Sequence, residues 1–263
     1  YGLFVTALAV SGFFSPIAGL GLGGLLLRDG AREPAALPRQ LGMALALWWP
    51  AALVCSAAAT ALLAWSLPSR IPLAALAAFA LAEIGAASFL ELAARVEQAR
   101  HRVGAFGAIL AGMILARLAA LLLYAALGAV DPVGWLWVYA ASSAIYAAFL
   151  ARRLVAGHRP VWPQKRDWRM ARESFPFTIG ALSFRLQAEF NKPLLARASY
   201  GQAGSFGVAQ RAVDLASLPL QALQEALWPR LYSSRHSARQ LWLVGAVLCA
   251  AALLGGGVLV LLA

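Results

Sequence analysis

The feature that most constrains this chain is a recurrence: apolar stretches of about 20 to 25 residues follow one another along its length, with the charges gathered into the short segments between them. A helix rises about 1.5 Å per residue, so each stretch can cross the ~30 Å hydrocarbon core of a bilayer. Lipid offers the backbone no hydrogen-bond partner, so the spanning element is the helix, which satisfies its own amides. Eight spans are expected, at 2–27, 41–67, 72–94, 103–127, 133–151, 174–198, 204–229 and 241–263. The fold class is therefore all-α, a polytopic membrane helix bundle. Composition agrees: 62% of the residues are hydrophobic and 13% charged, with a mean hydropathy of +0.72, unlike a soluble domain.

The connecting segments alternate in charge. One set carries Arg28, Arg32 and Arg39, then Arg95, Arg100 and Arg102, then the seven basic residues from Arg152 to Arg172, then Arg230, Arg235 and Arg239; these are sixteen of the twenty-two Lys and Arg. The other set holds only Arg70 and Arg197. By the positive-inside rule the first set is cytoplasmic, and the first span runs from outside to inside. The net charge of +11 thus reads as topology, and without a compact basic domain no nucleic-acid partner is expected. The expected location is a bacterial inner membrane, crossed many times.

The longest connection, 152–173, contains Pro160, Trp162, Pro163 and Trp168. It reads either as a long loop with an aromatic interface anchor or as a linker between two lobes, with 1–151 giving N-terminal-lobe helices and 174–263 the first helices of a C-terminal lobe. The chain starts and stops inside apolar runs, and at least one further helix is expected at each end.

Charge inside a span costs several kcal/mol and persists where a partner, water or a substrate compensates it. In the sixth span, Arg185, Glu189 and Lys192 return to one face at 100° per residue, with Gln187 on a second polar face and Pro193 interrupting the backbone ladder. In the seventh, Gln210, Asp214, Ser217, Gln221 and Gln224 form a stripe at steps of four and three, flanked by Arg211 and Glu225. The two helices either pair through these groups or face a hydrated central cavity, and the number of glutamines favours the cavity. Glu83 and Arg117 lie at matching depth on antiparallel neighbours, which predicts a structural ion pair. Glu91 and Arg95, four apart at a helix end, are expected to form a surface pair.

Signatures of catalysis are missing. The histidines His101, His158 and His236 fall in the basic loops, and no carboxylate cluster has metal spacing. GLGLGG at 19–24 lies within a span rather than after a strand, so it reads as close helix packing and not a phosphate loop. Cys55 and Cys249 are far apart in apolar segments and are expected to be inert. No enzyme activity, cofactor or metal is expected.

Three stretches resemble the Wzx-type polysaccharide-biosynthesis flippases of the multidrug/oligosaccharidyl-lipid/polysaccharide exporter superfamily. They are YGLFVTALAVSGFFSPIAGLGLGGLLLR at 1–28, RESFPFTIGALSFRLQAEFNKPLLARASYGQAGSFGVAQR at 172–211 and LPLQALQEALWPRLY at 218–232. The resemblance implies two lobes around a central cavity, with this chain holding roughly the second to ninth helices. It also implies the substrate, an undecaprenyl-pyrophosphate-linked oligosaccharide moved between leaflets for surface polysaccharide synthesis. Members often carry an Asp near positions 189–191, where this chain has Glu189, Asn191 and Lys192.

The expected function is that of a lipid-linked oligosaccharide flippase. Arg185, Lys192 and Arg211 would supply positive potential for the pyrophosphate, Gln187, Gln210, Gln221 and Gln224 would bond sugar hydroxyls, and Glu189 and Asp214 would hold the cations or a coupling ion. Expected partners are the lipid-linked oligosaccharide, membrane lipids and the polysaccharide polymerase machinery. The alternatives are a cation-coupled small-molecule exporter of the same superfamily or a membrane glycosyltransferase or O-antigen ligase, which would need larger outer loops than these.

Overall fold

The computed structural model of the chain describes residues 2–67, 71–128, 131–161, 169–189 and 191–233, with positions 242, 245, 246 and 250 beyond them; the side chains of 184–189 and 191–193 lie outside the described part. Every regular element among the described residues is helical: α1 (Gly2–Gly19), α2 (Leu22–Arg32), α3 (Leu37–Ser66), α4 (Leu73–Ala80), α5 (Ala87–Ala99), α6 (Val103–Ala126), α7 (Pro132–His158), α8 (Arg169–Glu189), α9 (Asn191–Ala198) and α10 (Tyr200–Ser233). A short 3-10 turn precedes α3, and a π-helical turn, Leu81–Ala86, joins α4 to α5 without a break.

Among the described residues four continuous stretches are long and apolar enough to cross a bilayer, Pro34–Ser66, Leu73–Ala99, Val103–Ala126 and Pro132–His158, and the pair α1–α2 adds a fifth if its halves count as one span. These correspond to the first five expected spans, with two corrections. The span at 2–27 is not straight: it bends by 42° between Gly19 and Leu22, where Leu20 and Gly21 take left-handed backbone angles. The fifth span does not end at 151, since α7 continues to His158 and occupies the first part of the expected linker. The sixth span takes in α8 and α9, described on either side of position 190, and among the described residues neither α8 nor α10 meets the same measure of length and apolar composition. The eighth, at 241–263, lies outside the described residues apart from those few positions.

The bend has a local cause. Gly21 sits at φ 63°, which costs an L-residue with a Cβ about 1–2 kcal/mol. A Cβ there would also run into the backbone of Ser174 and Thr178 on α8, and one at Gly24 would meet the Phe177 ring. Glycine therefore sets both the turn and the approach of α8.

α1 lies at the centre, packed against α3, α8 and α10. Its interface with α3 is built from small or slender side chains, Ala7, Val10 and Ala18 against Ala52, Cys55, Ala59 and Leu63. In lipid, where apolar burial alone does not drive association, small residues gain by letting backbones approach closely. α6 shows the opposite surface. Only Phe106 and Met113 are buried on it, while Ile114, Leu115, Leu118 and Leu122 are exposed, as suits a helix solvated by acyl chains. α7 begins at a capped end, where Asp131 accepts from the amides of Val133 at 3.2 Å and Gly134 at 2.7 Å and Pro132 occupies the first turn.

Candidate functional site

The structure brings Glu83 and Arg117 together. Glu83 is carried by the π-helical turn and Arg117 by the middle of α6, with Arg117 Nη2 3.0 Å from Glu83 Oε2. This is a close charge contact and not a well-aligned hydrogen bond. Two residues of α7 complete the group, which sequence reasoning missed. The Tyr139 hydroxyl donates to the Glu83 carboxylate and its ring lies 4.2 Å beneath the Arg117 guanidinium, while Arg117 Nε donates to Ser143 Oγ at 3.0 Å. Ser143 in turn donates to the Tyr139 carbonyl at 2.8 Å. Tyr139 and Ser143 are four apart on one face of the fifth span, and that i, i+4 polar pair is the signal that could have found them. Around them Phe4 and Trp135 pack edge-to-face and Phe79 packs tilted against Tyr139, with centroids 5.4–5.9 Å away, so the charges sit in an aromatic surround.

Glu83 also opens onto a cavity of about 220 Å³. One wall is α1, with Val5, Leu8, Gly12 and Ser15; the facing wall is α10, with Gly207, Gln210, Arg211 and Asp214. A space of this size and polarity holds water. Gly207 makes the approach possible, since a Cβ there would press on Val5. At the far end Arg32 Nε reaches the Tyr232 carbonyl at 3.3 Å, so α10 runs beside α1–α2 in the same direction along its whole length.

Of the residues singled out in the sequence, Gln210, Arg211 and Asp214 thus share one cavity with Glu83. Gln221 and Gln224 lie further along α10, outside its walls; Gln221 donates to Ser217 Oγ at 2.7 Å and is exposed. The side chains of Arg185, Gln187, Glu189 and Lys192 lie outside the described residues, although their backbones belong to α8 and α9.

A second cavity, of about 170 Å³, follows toward the arginine-rich end, lined by Pro16, Gly19, Gly21, Ser88, Glu91, Arg95 and Phe177 among others. Beyond it the polar groups of α5 meet α10. Arg95 forms an ion pair with Glu225, its Nη2 donating at 3.2 Å, and Gln98 Nε2 donates both to the Glu225 carbonyl at 2.6 Å and to its carboxylate at 2.9 Å. Arg95 also bonds Gln98 Oε1 at 2.7 Å, and its guanidinium lies over the Phe106 ring. The expected Glu91–Arg95 pair is present only at 3.8 Å, secondary to Glu225. Nearby, Arg28 reaches Asp29 at 2.6 Å and Glu173 of α8 at 3.3 Å.

Several long apolar helices mark a helical membrane protein, and the cavity between α1 and α10 carries the ionisable side chains Glu83, Arg211 and Asp214. Comparison with protein-family models, curated proteins and solved structures finds no match to this chain.

Proposed function

We propose that the chain is part of a two-lobed transporter of a bacterial inner membrane that moves an undecaprenyl-pyrophosphate-linked oligosaccharide between leaflets by alternating access. The observation that carries this reading is the convergence of Glu83, Gln210, Arg211 and Asp214 on one cavity between α1 and α10. Charge at membrane depth marks a route for a polar substrate more often than a scaffold. The resemblance of 1–28, 172–211 and 218–232 to the Wzx-type flippases supports the substrate class, and those same segments build α1, α8 and α10. In this reading Arg211, with Arg185 and Lys192, attracts the pyrophosphate, while Gln210, Gln221 and Gln224 exchange bonds among sugar hydroxyls. Glu189 and Asp214 hold those cations. The reaction has no covalent step.

One observation favours a second reading, a cation-coupled exporter of small molecules. The cavity wall carries two carboxylates, Glu83 and Asp214, against one guanidinium, Arg211. Arg117 offsets Glu83 from behind, which leaves the wall close to neutral, without the excess negative charge that a cationic substrate would need.

The test is complementation. Arg211→Ala with Lys192→Ala in the full-length protein is expected to insert normally yet fail to restore surface polysaccharide in a flippase-deficient strain, whereas Arg152→Ala, on an exposed part of α7, restores it. Full restoration by the double variant removes the pyrophosphate role. Loss of drug efflux in Asp214→Asn, with polysaccharide unaffected, would establish the second reading instead.

A further inference from the structure

The two cavities follow one another in register. α1 contributes Gly12 and Ser15 to the first, then Pro16 and Gly19 to the second; the next wall contributes Glu83 and Ala87, then Ser88, Glu91 and Arg95. Because α10 runs alongside in the same direction, its Arg211 and Asp214 stand at the first cavity and its Glu225 bonds Arg95, which lines the second. Along the two linings Ser15 is followed by Pro16 and Ala87 by Ser88, and Arg95 of the second lining carries the contacts to Gln98 and Glu225.

We infer that Arg95, Gln98 and Glu225 form a latch that shuts the arginine-rich end of one continuous polar route, a step that rests on the transporter reading and names its gate. Three features of the cluster fit a latch better than a fixed strut. It joins elements far apart in the chain, α5 and α10, with Arg95 and Glu225 130 positions apart, so separating those two helices must break it. Its contacts are few and polar: Glu225 accepts from both Arg95 and Gln98, and Gln98 also holds the Glu225 carbonyl. Arg95 and Gln98 stay bonded without Glu225, because Arg95 keeps Gln98 at 2.7 Å, Glu91 at 3.8 Å and the Phe106 face at 5.5 Å. An arginine with alternative partners can release one carboxylate without being stranded. The neighbouring bond from Arg28 to Glu173 crosses between α2 and α8 at the same end and would open with it.

Thiol accessibility tests this without any substrate, so its outcome is independent of the flippase assignment. Cys55 and Cys249 are replaced by Ala in the full-length protein, and Gly12→Cys is introduced as the reporter, at a cavity wall where an added Cβ meets nothing within 4 Å. Membrane vesicles exposing the arginine-rich face are treated with a membrane-impermeant maleimide. With the latch intact the reporter reacts slowly; Glu225→Gln is expected to raise its rate about tenfold, the scale set by losing one charge-assisted contact between closed and open populations. Exchanging the charges, Arg95→Glu with Glu225→Arg, is expected to restore slow labelling. Should Glu225→Gln accumulate poorly, Gln98→Ala removes only the neutral arm and is expected to raise the rate about threefold. An unchanged rate in whichever single variant inserts, or a charge exchange that labels as fast as Glu225→Gln, overturns the latch.

Discussion

Arg117 stands 3.0 Å from Glu83, and both side chains are about one-fifth exposed, at 20% and 18%. Removing one partner leaves an uncompensated charge at membrane depth, which costs about 3 kcal/mol. Glu83→Gln and Arg117→Gln are each expected to reduce the folded protein recovered in mild detergent. The pair of changes together recovers much of the loss, since two neutral amides leave no charge stranded. Tyr139→Phe, which removes one hydrogen bond and keeps the ring beneath Arg117, is expected to cost only about 1 kcal/mol. Equal losses in the single and double variants would mean that the two charges do not support each other.

Gly21→Ala tests the bend. The backbone angle and the proximity of α8 act in the same direction, so the substitution is expected to destabilise by more than the ~1 kcal/mol of an ordinary left-handed penalty. Gly12→Ala, with open space around the new methyl, should be close to neutral. Thermal unfolding of the purified protein in detergent separates the two, and a Gly21→Ala midpoint equal to wild type would place the bend elsewhere.

Trp48 donates its indole N–H to Ser88 Oγ at 2.8 Å, joining α3 to α5 just past the π-helical turn. Ser88→Ala leaves a half-buried donor unpaired and is expected to cost about 1–2 kcal/mol, whereas Ser66→Ala, an exposed hydroxyl bonded back to its own helix, should have little effect. Near-UV circular dichroism of the tryptophans, followed through denaturation, reports on both.

The orientation predicted by the charge bias places Arg152 on the cytoplasmic side and Gly201 on the periplasmic side. Both positions are exposed. In a background lacking Cys55 and Cys249, Gly201→Cys in intact spheroplasts should react with an impermeant thiol reagent and Arg152→Cys should not. The reverse pattern inverts the topology.

Much of the helical architecture was legible in the sequence because the bilayer fixes the length of an apolar run, and α3, α6 and α7 follow directly from that rule. Depth counting brought Glu83 and Arg117 to one level. It could not name Tyr139 and Ser143, because spacing along one helix does not say which neighbour that helix faces. Arg95 shows the same limit: a four-residue step points to Glu91, but the nearer carboxylate belongs to Glu225, 130 positions away. The stripe on α10 was readable as a stripe, yet only packing divides it, with Gln210, Arg211 and Asp214 at the cavity and Gln221 and Gln224 past it.

The π-helical turn at Leu81–Ala86 has a geometric consequence for everything after it. In an uninterrupted α-helix, Glu83 and Arg95 would project about 120° apart, since twelve steps of 100° overshoot three full turns by that amount. A π turn brings residues five apart into line and absorbs one position of the count, which reduces the offset toward about 20°. Glu83 and Ser88 are separated by five, and from Ser88 the ordinary α spacing carries the same face through Glu91 to Arg95. The turn is a phase adjuster. Deleting a single residue within it would return the turn to ordinary α-helix, and eleven steps of 100° leave the same offset of about 20°, so Arg95 would stay beside Glu225 and Ser88 beside Trp48.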